Sequence, residues 1–202
     1  YSLSMPPVTK ETDVRPSEGS LAERLAAVRE RVAEAARRSG RRREDIILVA
    51  VTKHASIDEI RQLIELGHVD FGENRVQQLV QRAAQIDEFL ARHRQLTSSH
   101  DVPAHVRWHM IGHVQRNKVR KVLPLVRLTH SVDSLRLAEE VQTAAAKFEE
   151  PVEVLVQVNA SGERSKHGVA PAAARHLVEQ IEVLGRGVAR YRVSTAHLLH
   201  EC

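Results

Sequence analysis

Five short apolar runs alternate with stretches of helical periodicity along this chain, and each run is followed at once by polar residues. The runs fall at about 46–52, 68–72, 107–112, 126–132 and 152–159. Helical spacing is read at about 57–66, 74–89, 115–122, 134–148 and 171–184. Strand alternating with helix argues for a parallel sheet with helical crossovers, hence an α/β fold. Two large architectures satisfy the pattern, an open doubly wound sheet and a (β/α)8 TIM barrel. No GxGxxG follows the first run, which weakens the dinucleotide-binding version. In both architectures ligands bind at the carboxyl ends of the strands. Lys53, Glu73-Asn74, Gly112-His113, Ser131 to Asp133 and Asn159 to Ser161 all fall there, which makes a cleft along one sheet edge the expected site.

The first run, Ile46-Ile47-Leu48-Val49-Ala50-Val51, closes on Thr52 and Lys53. Side chains alternate along a strand, so Ile47, Val49, Val51 and Lys53 share a face. A lysine in line with buried apolar residues is partly desolvated at the mouth of a core. Desolvation favours the neutral amine, the form that attacks an aldehyde. The competing reading is a strand-end lysine that extends its amine to water.

The 202 residues suffice for one domain with a real core. Residues 1–19 read as a polar lead-in, and Ser20 caps a first helix that Gly40 ends. No apolar stretch approaches membrane-spanning length and no signal-peptide pattern opens the chain. The single cysteine, Cys202, leaves no internal disulfide and no thiol metal cluster, so a reducing cytoplasm is the expected compartment. A net charge of +4 permits anionic ligands. Arg116, Lys118, Arg120 and Lys121 form a basic run, but aromatic residues are only 3% of the chain. With so few stacking platforms, nucleic acid is not an expected partner. His105, His109 and His113 are spaced as a metal face on a helix would be, yet Gly112 and the strand-like 107–112 argue against that helix. Ser131, Asp133 or Ser134 could cap the next helix, and Asp133 could instead pair with a cofactor group. Lys166 is either an anion contact or a solvated loop lysine.

Several segments carry a specific resemblance. Val49-Ala50-Val51-Thr52-Lys53, Asp70-Phe71-Gly72-Glu73-Asn74, Trp108-His109-Met110-Ile111-Gly112-His113-Val114-Gln115 and His130-Ser131-Val132-Asp133-Ser134 occur in order. Asn117-Lys118, Gln157-Val158-Asn159 and Ser165-Lys166-His167-Gly168 fit the same series. Together they resemble the pyridoxal-phosphate homeostasis protein family over about residues 20–184. The resemblance implies a single barrel related to the N-terminal domain of alanine racemase. It implies pyridoxal 5′-phosphate (PLP) as cofactor, with Lys53 forming the internal aldimine and Asn74 beside it. Val51, His109, Ile111, Gly112 and Ser131, in the same matched segments, complete the expected cofactor-binding set. No catalytic residue is expected, because the family is known for holding and buffering PLP, and with the helical histidine face set aside no metal ligand is expected either. PLP-accepting apoenzymes are the implied partners; the oligomeric state is open.

Five βα units are counted where a barrel has eight. Residues 185–202 carry neither of the family's late motifs, and truncation or a frame shift is the expected reason. Two other readings stay open, a cryptic PLP-dependent racemase or lyase and a basic RNA-associated or non-functional fragment.

Overall fold

The computed structural model describes residues 19–96, 102–163, 165–187 and 191–193. The lead-in before Gly19, part of the expected 92–104 loop and the last residues with Cys202 lie outside the described residues. The chain divides into two units, Tyr1–Ile46 and Ile47–Cys202.

In the first unit, α1 (Leu21–Arg38) starts where Ser20 and Glu23 form a capping box, each satisfying a backbone N–H of the other. It ends at Gly40, whose φ of 69° is the left-handed conformation that glycine adopts without strain.

The second unit is a sheet of six parallel strands in the order β1-β2-β3-β4-β5-β6. These are β1 (Ala50–Val51), β2 (Asp70–Glu73), β3 (Arg107–Met110), β4 (Val126–Val132), β5 (Val152–Val156) and β6 (Tyr191–Val193). Between them run α2 (Ile57–Glu65), α3 (Val76–Leu96), α4 (Val119–Val122), α5 (Leu135–Ala145) and α6 (Pro171–Gly187). A doubly wound sheet reverses its strand order at a switch point. This order never reverses, which is the order of a (β/α)8 barrel. Right-handed crossovers in one direction put the helices on one face of the sheet.

That face is the core. Phe71, Trp108, Met110, Val132 and Val154 from the strands join Ile60 and Ile64 of α2, and Leu79 and Ile86 of α3. Val122 of α4, Leu137 and Val141 of α5, and Ile181 of α6 complete the same buried cluster. On the opposite face stand Asp70, Gly72, His109 and His130.

The elements depart from the sequence reading in instructive places. The first strand is two residues long rather than 46–52. Ala50 pairs with Phe71, so in the same register residues 46–48 fall opposite residues 67–69, before β2 has begun. The face shared by Ile47, Val49 and Val51 is not buried: Ile47 is 50% and Val51 55% exposed, since the helices cover the other side. α3 runs to Leu96 instead of about residue 89: its buried stripe of Leu79, Ala83, Ile86 and Leu90 ends near there, and good helix formers with the Glu88–Arg92 ion pair carry the exposed turns that follow. The 115–122 segment is a 3-10 turn, Arg116–Lys118, followed by the short α4. Past Leu184, α6 continues to Gly187 and β6 pairs with β5, so a sixth strand joins the five expected.

Candidate functional site

Backbone and side-chain hydrogen bonds tie the ends of the first four strands into one rim. Thr52 N–H donates to the Gly72 carbonyl (3.0 Å), and Ile111 N–H to the Glu73 carbonyl (2.9 Å). The Ser131 hydroxyl donates to the Gly112 carbonyl at 2.7 Å. Gln157 N–H extends the series to the Val132 carbonyl (2.9 Å). Lys53, Asn74, Gly112 and Ser131 therefore belong to adjacent strand ends.

Lys53 stands just past β1 with an exposed side chain, rather than in the partly desolvated setting expected of it. Thr52 before it is buried on the helix side. Alternation carries Lys53 to the other face with Val51. The turn after it closes with Ala55 N–H on the Thr52 carbonyl at 2.9 Å. Arg82 of α3 holds this turn from below. Its guanidinium donates to the carbonyls of Thr52 and Ala55 and to the carboxylate of Glu73. Glu73 is wholly buried and also accepts from the Thr52 hydroxyl. One charged pair thus fixes the backbone that presents Lys53.

Asn74 and Gly112 touch. A Cβ on Gly112 would fall 2.1 Å from the Asn74 carbonyl oxygen, so only glycine permits this approach. The Asn74 side-chain oxygen is buried and accepts no hydrogen bond. Ile111 is half-buried, and its Cδ1 would lie 3.2 Å from a Cβ on Gly72.

His109 is placed differently from the other expected site residues. It lies within β3 opposite Gly72, fully buried, with both ring nitrogens engaged. Nε2 meets Asp70 Oδ1 at 3.1 Å, and Nδ1 meets His130 Nε2 at 3.0 Å. Arg107 forks onto Asp70 at 2.7 and 2.5 Å. A carboxylate only accepts, so His109 Nε2 carries a proton. A neutral His109 then accepts at Nδ1 from His130 Nε2–H, which leaves His130 Nδ1 bare; that atom is buried without a partner.

The electrostatics agree with this arrangement. Burial, and secondarily His109, push His130 down to about 4. Burial also lowers His109, against the opposing pull of Asp70. Burial would raise Asp70, but its bonds to Arg107 and His109 outweigh that and hold it below a free aspartate.

Further along the rim, His113, Asp133 and His167 converge, and an open pocket of about 320 Å³ is lined by His113, Gln115, Arg116, Asp133, Ser134 and Arg136. Lys166 pairs with Glu163 at 3.1 Å in the exposed loop after β5. The helical histidine face does not form: His109 lies in a strand, and His105 is exposed before it. Sequence reasoning missed Arg82, the Asp70–His109–His130 chain and the grouping of His113 with His167. Only Glu73, inside the matched Asp70–Asn74 segment, offered a signal for the first.

Residues 24–200 match the alanine racemase N-terminal domain family. The chain is 34% identical over 174 residues to the pyridoxal phosphate homeostasis protein of Mycobacterium leprae, covering 82% of this chain and 65% of that one. It is 39% identical over 163 residues to the protein of the same name from Bos taurus, covering 78% and 56%. Among solved structures it is similar to PipY of Synechococcus elongatus PCC7942. Without PLP that protein gives a TM-score of 0.62 at 27% identity, covering 89% of this chain and 74% of PipY. With PLP bound it gives 0.61 at 24% identity, covering 89% and 73%. This chain thus spans less than two thirds of the length of the two homeostasis proteins.

Proposed function

The chain belongs to the alanine racemase N-terminal domain family and, within it, to the pyridoxal phosphate homeostasis proteins, and from that membership we propose that it binds PLP at the carboxyl edge of its sheet, with Lys53 as the amine that meets the PLP aldehyde. The observation that carries this reading is the rim itself. An exposed lysine, an asparagine with an unused buried acceptor and a glycine at an enforced close approach occupy neighbouring strand ends. These residues fit the group: Lys53 offers the nucleophile and Asn74 an acceptor for a polar substituent. The absence of a side chain at Gly112 keeps the rim close to the backbone.

When bound, PLP supplies an aldehyde that condenses reversibly with amines. The chain's own part is to present and orient. Arg82 and Glu73 fix the Thr52–Ala55 turn, so the Lys53 amine projects from a constrained backbone into solvent. Val51 in β1 and Ile111 just after β3 add apolar surface to the rim. His109, its nitrogens occupied, acts through Asp70 and His130 to hold the inner face. An exposed lysine suits a holder whose cargo passes to another amine, and we read the role as PLP homeostasis in the cytoplasm, with PLP-accepting apoenzymes as recipients. No helix among the described residues is long and apolar enough to cross a membrane.

Loading the protein with PLP, reducing with borohydride and mapping the adduct by peptide mass is the direct test. The adduct is expected on Lys53, accompanied by a new visible absorbance band before reduction, and Lys53→Ala removes both. Equal labelling of Lys118, Lys121 and Lys166 would reject the assignment.

A further inference from the structure

The segments after β3, β4 and β5 bring His113, Asp133 and His167 together, with one ligand atom from each lying within 4.8 Å of the others. His113 Nδ1 is 3.5 Å from Asp133 Oδ2. That is too long for a strong hydrogen bond. It is close to the ~3.3 Å expected between two ligands that share a tetrahedral ion at about 2.0–2.1 Å. The imidazoles of His113 and His167 stack with centroids 4.4 Å apart and planes 15° from parallel.

The loop that carries His167 is closed at its ends and braced within by Asn159, whose side-chain amide donates to the Glu163 and Lys166 carbonyls at 2.9 and 3.3 Å. Asn159 N–H donates to the Val169 carbonyl at 2.8 Å, and Val169 N–H to the Gln157 carbonyl at 3.0 Å. His167 is exposed and precedes Gly168, whose φ is 117°. Small side-chain rotations there would splay the stacked rings and turn both nitrogens toward Asp133.

We propose that His113, Asp133 and His167 bind a divalent first-row transition metal ion, of the zinc or cobalt class, with remaining coordination positions open to the rim pocket. Two imidazoles and one carboxylate are a borderline-soft set. Calcium and magnesium would need more oxygen ligands than the three residues offer. Arg116 and Arg136 line the same pocket and oppose purely Coulombic attraction of cations, so the ion would be held by coordination. The same guanidiniums favour an anion or hydroxide in the open positions. The inference is independent of PLP binding and is tested without PLP.

The test titrates the PLP-free full chain with Co2+, followed by visible absorption, and with Zn2+, followed by calorimetry. One ion per chain is expected, with a ligand-field band from Co2+. His113→Ala, His167→Ala and the near-isosteric Asp133→Asn should each weaken affinity at least tenfold, whereas His105→Ala should leave it unchanged. Circular dichroism checks that each variant is folded. Absence of saturable binding, or folded His167→Ala and Asp133→Asn proteins that retain full affinity, would overturn the proposal.

Discussion

The inner face of the sheet carries its chemistry in single atoms. Arg107, Asp70, His109 and His130 form a chain in which each donor has one acceptor until the bare Nδ1 of His130 ends it. Such a chain makes stability depend on pH, and the sign follows from the shifts. His130 falls from 6.5 to about 4 in the folded protein. Between those values the unfolded chain binds a proton that the folded one refuses, so stability decreases as pH drops through this window. Integrated over the window, the loss is roughly 3 kcal/mol. Asp70, held below the 3.8 of a free aspartate, adds a loss at still lower pH. Its stabilising contribution is present above 3.8 and disappears as pH falls through its folded value. His130→Asn keeps an N–H for His109 Nδ1 and does not titrate. Denaturant unfolding from pH 7 to 4 should therefore be flatter for His130→Asn than for the parent. Parallel curves would mean that His130 takes up its proton in the folded state as readily as in the unfolded one.

At the scale of elements, a helix and two strands are joined by one buried charge pair. Arg82 projects from α3 to the Glu73 carboxylate at the end of β2 and to the carbonyls after β1. Removing one partner of such a pair leaves the other charge buried and costs about 3–5 kcal/mol. Urea denaturation should show Arg82→Ala destabilised by that order. Arg82→Lys should fall between, having the charge without the fork. The double change Arg82→Met with Glu73→Gln should recover part of the loss. An Arg82→Ala protein within measurement error of the parent would remove the clamp from the account of how Lys53 is presented.

Arg82 also marks where sequence reading stopped. Strand–helix alternation was legible because burial of one sheet face against helices writes itself into Phe71, Trp108, Met110 and their helical partners. The rim was legible because parallel strands end together, so polar residues after each run had to be neighbours. Arg82 lies among polar residues of an amphipathic helix, where an inward arginine and a solvated one have the same spacing. The length of β1 was illegible because it depends on where β2 begins, a property of another segment. His113 and His167 come together only through loop geometry after two different strands, which no local pattern encodes.

For the whole molecule, the decisive fact is which residues share the core. The buried cluster runs from Ile60 to Ile181 and draws on α2 through α6 and on the sheet. Among the described residues its first member is Ile60, and the first partly buried apolar residue packed on it is Ala50. Hydrophobic burial is the dominant favourable term in folding, so the elements that contribute it decide what unfolds as one. α1 buries only Ala36 and has its own capping box and glycine stop. We therefore predict that residues 47–202 fold without residues 1–46. Far-UV circular dichroism of this shortened chain should keep the α/β signature, and urea should unfold it in one cooperative transition. PLP loading followed by borohydride should still label Lys53, because Arg82 of α3 and the Gly72–Glu73 end of β2 hydrogen-bond to the Thr52–Ala55 turn. A shortened chain without a cooperative transition would show that the first unit supplies stability the core cluster does not reveal. A folded chain with unlabelled Lys53 would instead place part of the PLP site before residue 47.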